Sequence, residues 1–359
     1  MRIALFTDTY EPQVNGVVTS INRFTKELRR RGHIVYIFSP SSPGFQSKRF
    51  IRTFKSIAFR NYPEYKIGIP LLDEFFKKRK FDIVHVHTPA TVGLCGVLLA
   101  KYYGLPLVGT YHTLLSEYSY YLIKKSKNLK KITKRALWKY TSLFYNRCDR
   151  VIVPSEEIRK ELKKHGVRRE IAVIPTGIEI EKRKPVRHRG KAILHVGRLS
   201  KEKNVQFIIK SLRNILKEDV KLVVASDGPY KNELMKLTKK LGIKNITFTG
   251  YLSQKELEKL YSKSDLFVMA SKSETQGIVL AEAMAFSLPI VIIDSPVTGN
   301  FVRKNKIGLV VKERNFAKGV KKMLYNDNFR RRFTKKLSVK EYDIKNCTDK
   351  LIEVYSELL

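Results

Sequence analysis

Residues 2–40, RIALFTDTYEPQVNGVVTSINRFTKELRRRGHIVYIFSP, hold a whole unit of fold in one stretch. Ile3 to Phe6 form a short apolar run that ends in a polar loop containing Pro12 and Asn15. Val17, Ile21, Phe24 and Leu28 then keep the spacing of one helix face. A second β-branched and aromatic run, Ile34 to Phe38, follows Gly32. Strand, helix, strand in this order predicts two parallel strands joined by a helical crossover.

The same alternation runs through the rest of the chain. DIVHVHTP, PLVGTYHT, RVIVPSE and IAVIPTG complete the first half. AILHVGRLS, KLVVASDGP, ITFTGYLS, DLFVMASKS, PIVIIDSP and GLVV make up the second. Two successive sets of strands predict an α/β protein with two doubly wound, Rossmann-like domains facing across a cleft, their parallel sheets buried on both faces. The length of 359 residues suits two such domains. The seam is placed in GIEIEKRKPVRHRGK, residues 177–191, which is polar, charged and holds Pro185. This gives a first domain over 1–183, a second over 184–340, and a helix over 341–359 that packs back on the first. Neither set opens with a G-x-G-x-x-G fingerprint, which argues against a nicotinamide oxidoreductase.

Ligands of such sheets bind beyond the carboxyl ends of the strands, so the informative residues follow the apolar runs. Gly16, His87 and His112 do so in the first half. Arg198, Lys203, Asp227 and Glu274 do so in the second. Glu274 and Glu282 stand eight apart in SKSETQGIVLAEAMAFSLPIVIID, residues 271–294. Glu282 lies among apolar residues, where an unpaired charge is costly. One reading is a helix cap and a salt bridge. A second treats the two as working carboxylates. On a single helix they would be about 12 Å apart along the axis. That is wider than the roughly 5–9.5 Å of paired glycosidase carboxylates. The spacing suits two ends of one extended ligand. Gly277 is expected to open the helix, leaving backbone N–H groups at Gln276, Gly277 and Ile278 to favour an anion between them. Arg198 and Lys203 would add cations for a diphosphate. Sugar, diphosphate and ribose in a row describe a nucleotide sugar.

Composition narrows the partners. The net charge of +38 is spread over both halves, and residues 117–147 alone carry 9 basic against 1 acidic residue. This fits an anionic membrane surface, nucleic acid, or a proteome-wide Lys preference as in some thermophiles, and leaves the three open. No recognition-helix, OB or RRM signature is present, which disfavours nucleic acid. Cys95, Cys148 and Cys347 are isolated and odd in number, as in a reducing compartment. The first residues turn polar too soon for a signal peptide, and no apolar run is long enough to span a bilayer. A cytoplasmic protein is expected. His85 and His87 alternate on one strand without a third ligand at local spacing, so His85 reads as a packed strand histidine and no metal is expected.

ETQGIVLAE, residues 274–282, resembles the E-x7-E motif of family 4 glycosyltransferases, which are retaining enzymes of the GT-B fold. HVGRLSKEKN, IPTGIE, SDGP, TGYLS and the opening FTDTYEPQVNGVV are similar to further stretches of that family, in the same order and over nearly the whole chain. ETQG stands where many members have Phe before the glycine, and Glu179 where Asp is usual. The resemblance implies that Arg198 and Lys203 hold the diphosphate and that Glu282 takes the ribose hydroxyls. It implies Glu274 and His112 at the transferred sugar, Gly16 against the phosphate, and Tyr251 and Leu252 near the base. It also implies transfer with retained anomeric configuration, without a metal cofactor, from a donor of the UDP-glucose or GDP-mannose type. Similar openings occur in members that glycosylate membrane lipids, which points to a lipid acceptor and an enzyme peripheral on the inner face of the cell membrane. A soluble sugar or polysaccharide acceptor is the alternative.

Two stretches are candidates for membrane contact. In NLKKITKRALWKYTSLFYNR, residues 128–147, Leu129, Ile132, Ala136, Tyr140 and Leu143 form one stripe flanked by Lys130, Lys131, Lys134, Arg135 and Lys139. Two fates are open to this helix: to rest on anionic lipid with Trp138 and the tyrosines at the interface, or to pack its stripe on its own sheet. Residues 48–81 mix aromatics and cations more thoroughly.

Overall fold

The computed structural model describes residues 1–42, 45, 47–59, 62–69, 74–112, 127–179, 191–216, 219–334 and 340–359, with backbone alone at 58–59, 62–67, 74, 127–128 and 130. Two compact units emerge: Met1–Gly177 together with Tyr342–Leu359, and Ile178–Glu341. Most of the expected seam, residues 180–190, lies outside the described residues.

The first unit runs β1 (Arg2–Phe6), α1 (Gly16–Arg30), β2 (Ile34–Pro40), β3 (Ile51–Phe54), β4 (Ser56–Phe59), β5 (Tyr62–Gly68), α2 (Glu74–Arg79), β6 (Ile83–Val86), α3 (Thr91–Tyr103), β7 (Leu107–Thr110), α4 (Lys127–Tyr145), β8 (Arg150–Val153), α5 (Glu156–Lys164) and β9 (Ile171–Val173). Its sheet is fully parallel in the order β3-β2-β1-β6-β7-β8-β9. The six strands read from the sequence are all present. β3 and the antiparallel hairpin β4–β5 were not legible. β3 sits at the sheet edge with Arg52 exposed, so it carries too few apolar residues to stand out.

Helix α1 forms where its spacing requires. Asn15 caps it, its Oδ1 accepting from the N–H groups of Val17 and Val18 at 3.0 and 3.1 Å. Val17, Ile21, Phe24 and Leu28 are buried against Ile3, Leu5, Val35 and Ile37 of the sheet.

The second unit runs β10 (Lys191–Val196), α6 (Val205–Leu212), β11 (Val220–Ala225), α7 (Lys231–Lys240), β12 (Ile246–Phe248), α8 (Gln254–Ser262), β13 (Leu266–Met269), α9 (Ile278–Ala285), β14 (Ile290–Ile293), α10 (Pro296–Asn305), β15 (Gly308–Val311), α11 (Phe316–Tyr325) and α12 (Asp327–Arg331). Its sheet, also parallel, has the order β12-β11-β10-β13-β14-β15. This is the dinucleotide-binding order, which reverses direction between β10 and β13. The core is aliphatic: Ile193, Leu222, Val224, Leu266 and Val268 from the strands meet Ile208, Ile209, Leu212 and Val320 from the helices.

The final helix, α13 (Ile344–Ser356), belongs to the first unit. Ile344, Cys347, Leu351, Val354 and Tyr355 enter the cluster built by α1 and the strands. Arg31, which follows α1, pairs with Asp349 and donates to the Lys345 carbonyl at 2.7 Å.

Candidate active site

In the second unit all strands are parallel, so the loops after β10, β11, β12 and β13 emerge along one edge in the order that the sheet sets. Backbone hydrogen bonds tie neighbouring loops together. Leu199 N–H donates to the Asp227 carbonyl and Tyr230 N–H to the Leu199 carbonyl, both at 2.9 Å. Ser226 and Gly250 form an isolated bridge between the β11 and β12 loops. Arg198, Lys203, Asp227, Tyr251, Leu252 and Glu274 all lie on these four loops.

The crevice at the strand-order reversal is where the key pair meets. Lys203, at the end of the β10 loop, donates from Nζ to Glu274 Oε1 at 2.6 Å. Both side chains are largely buried, at 25% and 14% exposure, so this pair is less screened than a surface salt bridge. Glu274 stands on the loop before α9 and not on the helix, so the axial 12 Å separation from Glu282 considered above does not apply.

Gly277 takes the N-cap position of α9 in a left-handed conformation, φ +75°. A Cβ there would sit 2.9 Å from Thr298 Cγ2, so both backbone and space call for glycine. As a glycine, Gly277 offers no side-chain cap of its own, and no acidic residue lies in the first turn. The helix presents its positive end at Gln276, Gly277 and Ile278, a few residues past Glu274, the partner of Lys203.

Glu282 lies one turn into α9 and is only 8% exposed. The buried Tyr261 hydroxyl donates to its Oε2 at 2.9 Å, which offsets part of the cost of burying the carboxylate. Tyr261 is itself fixed by stacking on Phe286. Asp227 pairs with Lys231 at 2.7 Å, and that bond holds its carboxyl below the usual carboxylate range. Tyr251 is half exposed beyond β12 and Leu252 partly buried.

The structure adds residues that the sequence did not single out. His195, on β10, is buried and its Nδ1–H donates to the Val268 carbonyl at 3.0 Å, bridging β10 to β13 beneath the Lys203–Glu274 pair. A carbonyl only accepts, so this imidazole is protonated on Nδ1. Burial pushes its pKa down to about 4. His195 and Tyr261 left no signal because their partners, Val268 and Glu282, are far away in sequence, whereas Lys231 stands only four residues from Asp227.

In the first unit, Gly16 is exposed at the start of α1. His85 is buried on β6, as read from the sequence. His87 and His112 follow β6 and β7, with His87 Nδ1 2.9 Å from His112 Nε2. Beside them Asp8, just past β1, accepts from the N–H groups of Val92 and Gly93 at 2.7 and 3.2 Å and from Thr88 Oγ1 at 2.6 Å. The N-cap residue of α3, Ala90, offers no side-chain bond, so the helix is capped by this distant carboxylate. Gly93 permits the approach: a Cβ there would meet the Thr88 carbonyl oxygen at 1.7 Å.

On helix α4 the expected stripe is not packed against the sheet. Leu129, Ile132, Tyr140 and Leu143 are 41–60% exposed, and Ala136 is exposed with them. The buried face is instead Trp138, Thr141, Phe144 and Tyr145. Trp138 is therefore not an interfacial residue: it stacks on His165, centroids 3.8 Å apart. On α3, Leu94, Leu98 and Tyr102 form a second exposed stripe at four-residue spacing. The Tyr140 hydroxyl donates to the Pro89 carbonyl just before α3, joining the two surfaces. Residues 113–126, part of the basic stretch, lie outside the described residues, as do 60–61 and 70–73 of the second membrane candidate.

Two doubly wound domains in one chain are the architecture of the GT-B fold. The Anabaena protein HepE, crystallised with UDP and glucose, shares the fold with a TM-score of 0.77 at 16% identity, covering 100% of both chains. The family model for Glycosyltransferase Family 4 matches residues 14–182, and that for Glycosyl transferases group 1 matches residues 178–338. The alpha-monoglucosyldiacylglycerol synthase of Streptococcus pneumoniae is 34% identical over 334 residues, 86% of this chain and 74% of that protein. A GDP-mannose-dependent alpha-mannosyltransferase of Mycolicibacterium smegmatis is 27% identical over 330 residues, 87% of this chain and 84% of that protein. The chain belongs to glycosyltransferase family 4 and is a hexosyltransferase.

Proposed function

We propose that the enzyme moves a hexose from UDP-glucose or GDP-mannose, with retention, to a lipid at an anionic membrane surface. The donor is read onto the second unit's loops and onto His112 of the first unit. Arg198, Lys203 and the N-terminus of α9 take the diphosphate, Glu282 the ribose, Glu274 and His112 the sugar, and Tyr251 with Leu252 the base. As the sugar–phosphate bond breaks, charge grows on the diphosphate, where these cations and helix N–H groups stabilise it. They supply that role without a metal ion. Glu282 acts before and during transfer alike, so Glu282→Ala should raise the donor KM about ten-fold with kcat little changed, for the loss of one charge-assisted hydrogen bond of ~1.5–3 kcal/mol. Steady-state kinetics with varied donor checks this. A fall in kcat at unchanged KM would move Glu282 away from the ribose.

The observation that carries the lipid reading is the exposed apolar stripe of α4 set among Lys131, Lys134, Arg135 and Lys139. An apolar strip ringed by cations suits the headgroup boundary of an anionic bilayer. The names of the relatives support it, the pneumococcal one being a glucosyldiacylglycerol synthase. Among the described residues no helix is long and apolar enough to cross a membrane. Contact is therefore proposed to be peripheral. Each Lys or Arg near such a surface contributes about 1 kcal/mol, and salt screens it. Vesicle sedimentation should show binding that rises with anionic lipid and falls with salt. Ile132→Ser with Leu143→Ser should weaken it roughly ten-fold or more through lost apolar burial. With labelled nucleotide sugar and total membrane lipid, label should enter the organic phase. Label found only in water-soluble glycosides, with no vesicle binding, would favour a soluble acceptor.

A further inference from the structure

Three histidines of the first unit lie side by side where β6 and β7 end. His85 has both ring nitrogens on hydroxyls: Nδ1 is 2.6 Å from the Tyr355 hydroxyl of α13 and Nε2 is 2.6 Å from Thr110 Oγ1. His87 stacks on His85 with centroids 4.2 Å apart, and its Nδ1 meets His112 Nε2 at 2.9 Å. His87 Nε2 is buried and has no hydrogen-bond partner among the described residues. Burial keeps all three rings uncharged at neutral pH, His85 at about 3, His112 at about 4 and His87 well below its ordinary value.

A neutral imidazole carries one N–H, so the contact has two possible polarities. Were the His87 proton on Nε2, that N–H would be buried and unbonded, and His112 would donate. With the proton on Nδ1, His87 donates to His112 and leaves only a lone pair unmatched. A buried unbonded N–H is rarer than an under-used acceptor. The second arrangement is therefore favoured.

We propose that His87 is a positioning residue for transfer: it donates Nδ1–H to His112 Nε2 and so fixes the ring and the tautomer of His112, with its single proton on Nδ1. The His112 Nε2 lone pair is then already engaged and closed to general-base work. This rests on the reading that His112 meets the transferred sugar. His85, held by Thr110 and Tyr355, supports the His87 ring from behind.

Long-range nitrogen–proton spectra of the 15N-histidine-labelled enzyme at neutral pH, assigned with His112→Ala, should show His112 protonated on Nδ1 and bare on Nε2. His87→Leu should leave mixed tautomers at His112 and lower kcat roughly ten- to hundred-fold, the scale of a small misplacement of an active-site group. Calorimetric affinity for UDP or GDP should stay unchanged. His87→Asn, whose amide places an N–H near the position of Nδ1, should restore most of kcat. Wild-type His112 protonated on Nε2 would overturn the proposal, as would a His87→Asn enzyme as slow as His87→Leu. If His112→Ala were inactive while His87→Leu turned over normally, only the role of His87 would fall. If His112→Ala itself turned over normally, the underlying reading of His112 would fall with it.

Discussion

Replacing Glu274 with glutamine is expected to lower kcat on the order of a hundred-fold while UDP or GDP affinity holds or rises slightly. Glutamine keeps the shape and removes the charge. Positive charge develops on the sugar as the diphosphate departs, so a carboxylate beside it does more for the transition state than for the bound donor. The Lys203–Glu274 contact at 2.6 Å fixes the sign of the second effect. In the wild type Glu274 partly neutralises Lys203; without that charge Lys203 is a stronger cation for the diphosphate. The two readouts should thus move in opposite directions or separately. Steady-state kinetics together with calorimetry on the free nucleoside diphosphate would show it. Near-normal turnover with lost diphosphate binding would reverse the assigned roles. A mere salt bridge predicts a lower melting temperature and little kinetic change in the folded enzyme.

Lys203→Ala should act the other way. Removing one charge-assisted contact of ~1.5–3 kcal/mol weakens UDP or GDP binding about ten-fold or more. It also strands Glu274 in a largely buried position, where a carboxylate without its cation repels an incoming diphosphate. Arg198→Ala should likewise weaken UDP or GDP binding about ten-fold or more. Equal, unchanged affinities in both variants would remove the diphosphate from this crevice. Lys203→Ala with Glu274→Gln separates the contributions: if repulsion by Glu274 matters, the double variant binds the nucleotide better than Lys203→Ala alone.

Much of this is legible in the sequence. The strands stood out because parallel strands covered on both faces are nearly continuous apolar runs, as in Ile290–Ile293. Gly277 announced a helix start because a left-handed residue is needed there and only glycine fits beside Thr298. β3 escaped because an edge strand needs few apolar residues. The side on which Trp138 falls stays open in the sequence because Ile132, Leu143 and Trp138 are equally apolar, and periodicity defines a stripe without saying which stripe meets the sheet.

The sequence by itself determined the alternation of strands and helices, the place of each polar residue just past a strand, and the pair of glutamates around Gly277. These depend on backbone period and local hydrogen bonding, which neighbouring residues settle among themselves. Only the tertiary structure decided which side chains meet. Lys203 reaches Glu274 across 71 residues because β10 lies beside β13. Tyr261 reaches Glu282 from another helix, and Asp8 caps α3 from the end of β1, some 80 positions earlier in the chain. His87 and His112 touch because β6 and β7 are adjacent and in register. Such pairings are set by sheet order and by the exclusion of water from the spaces between elements, and neither is written in any local stretch of residues.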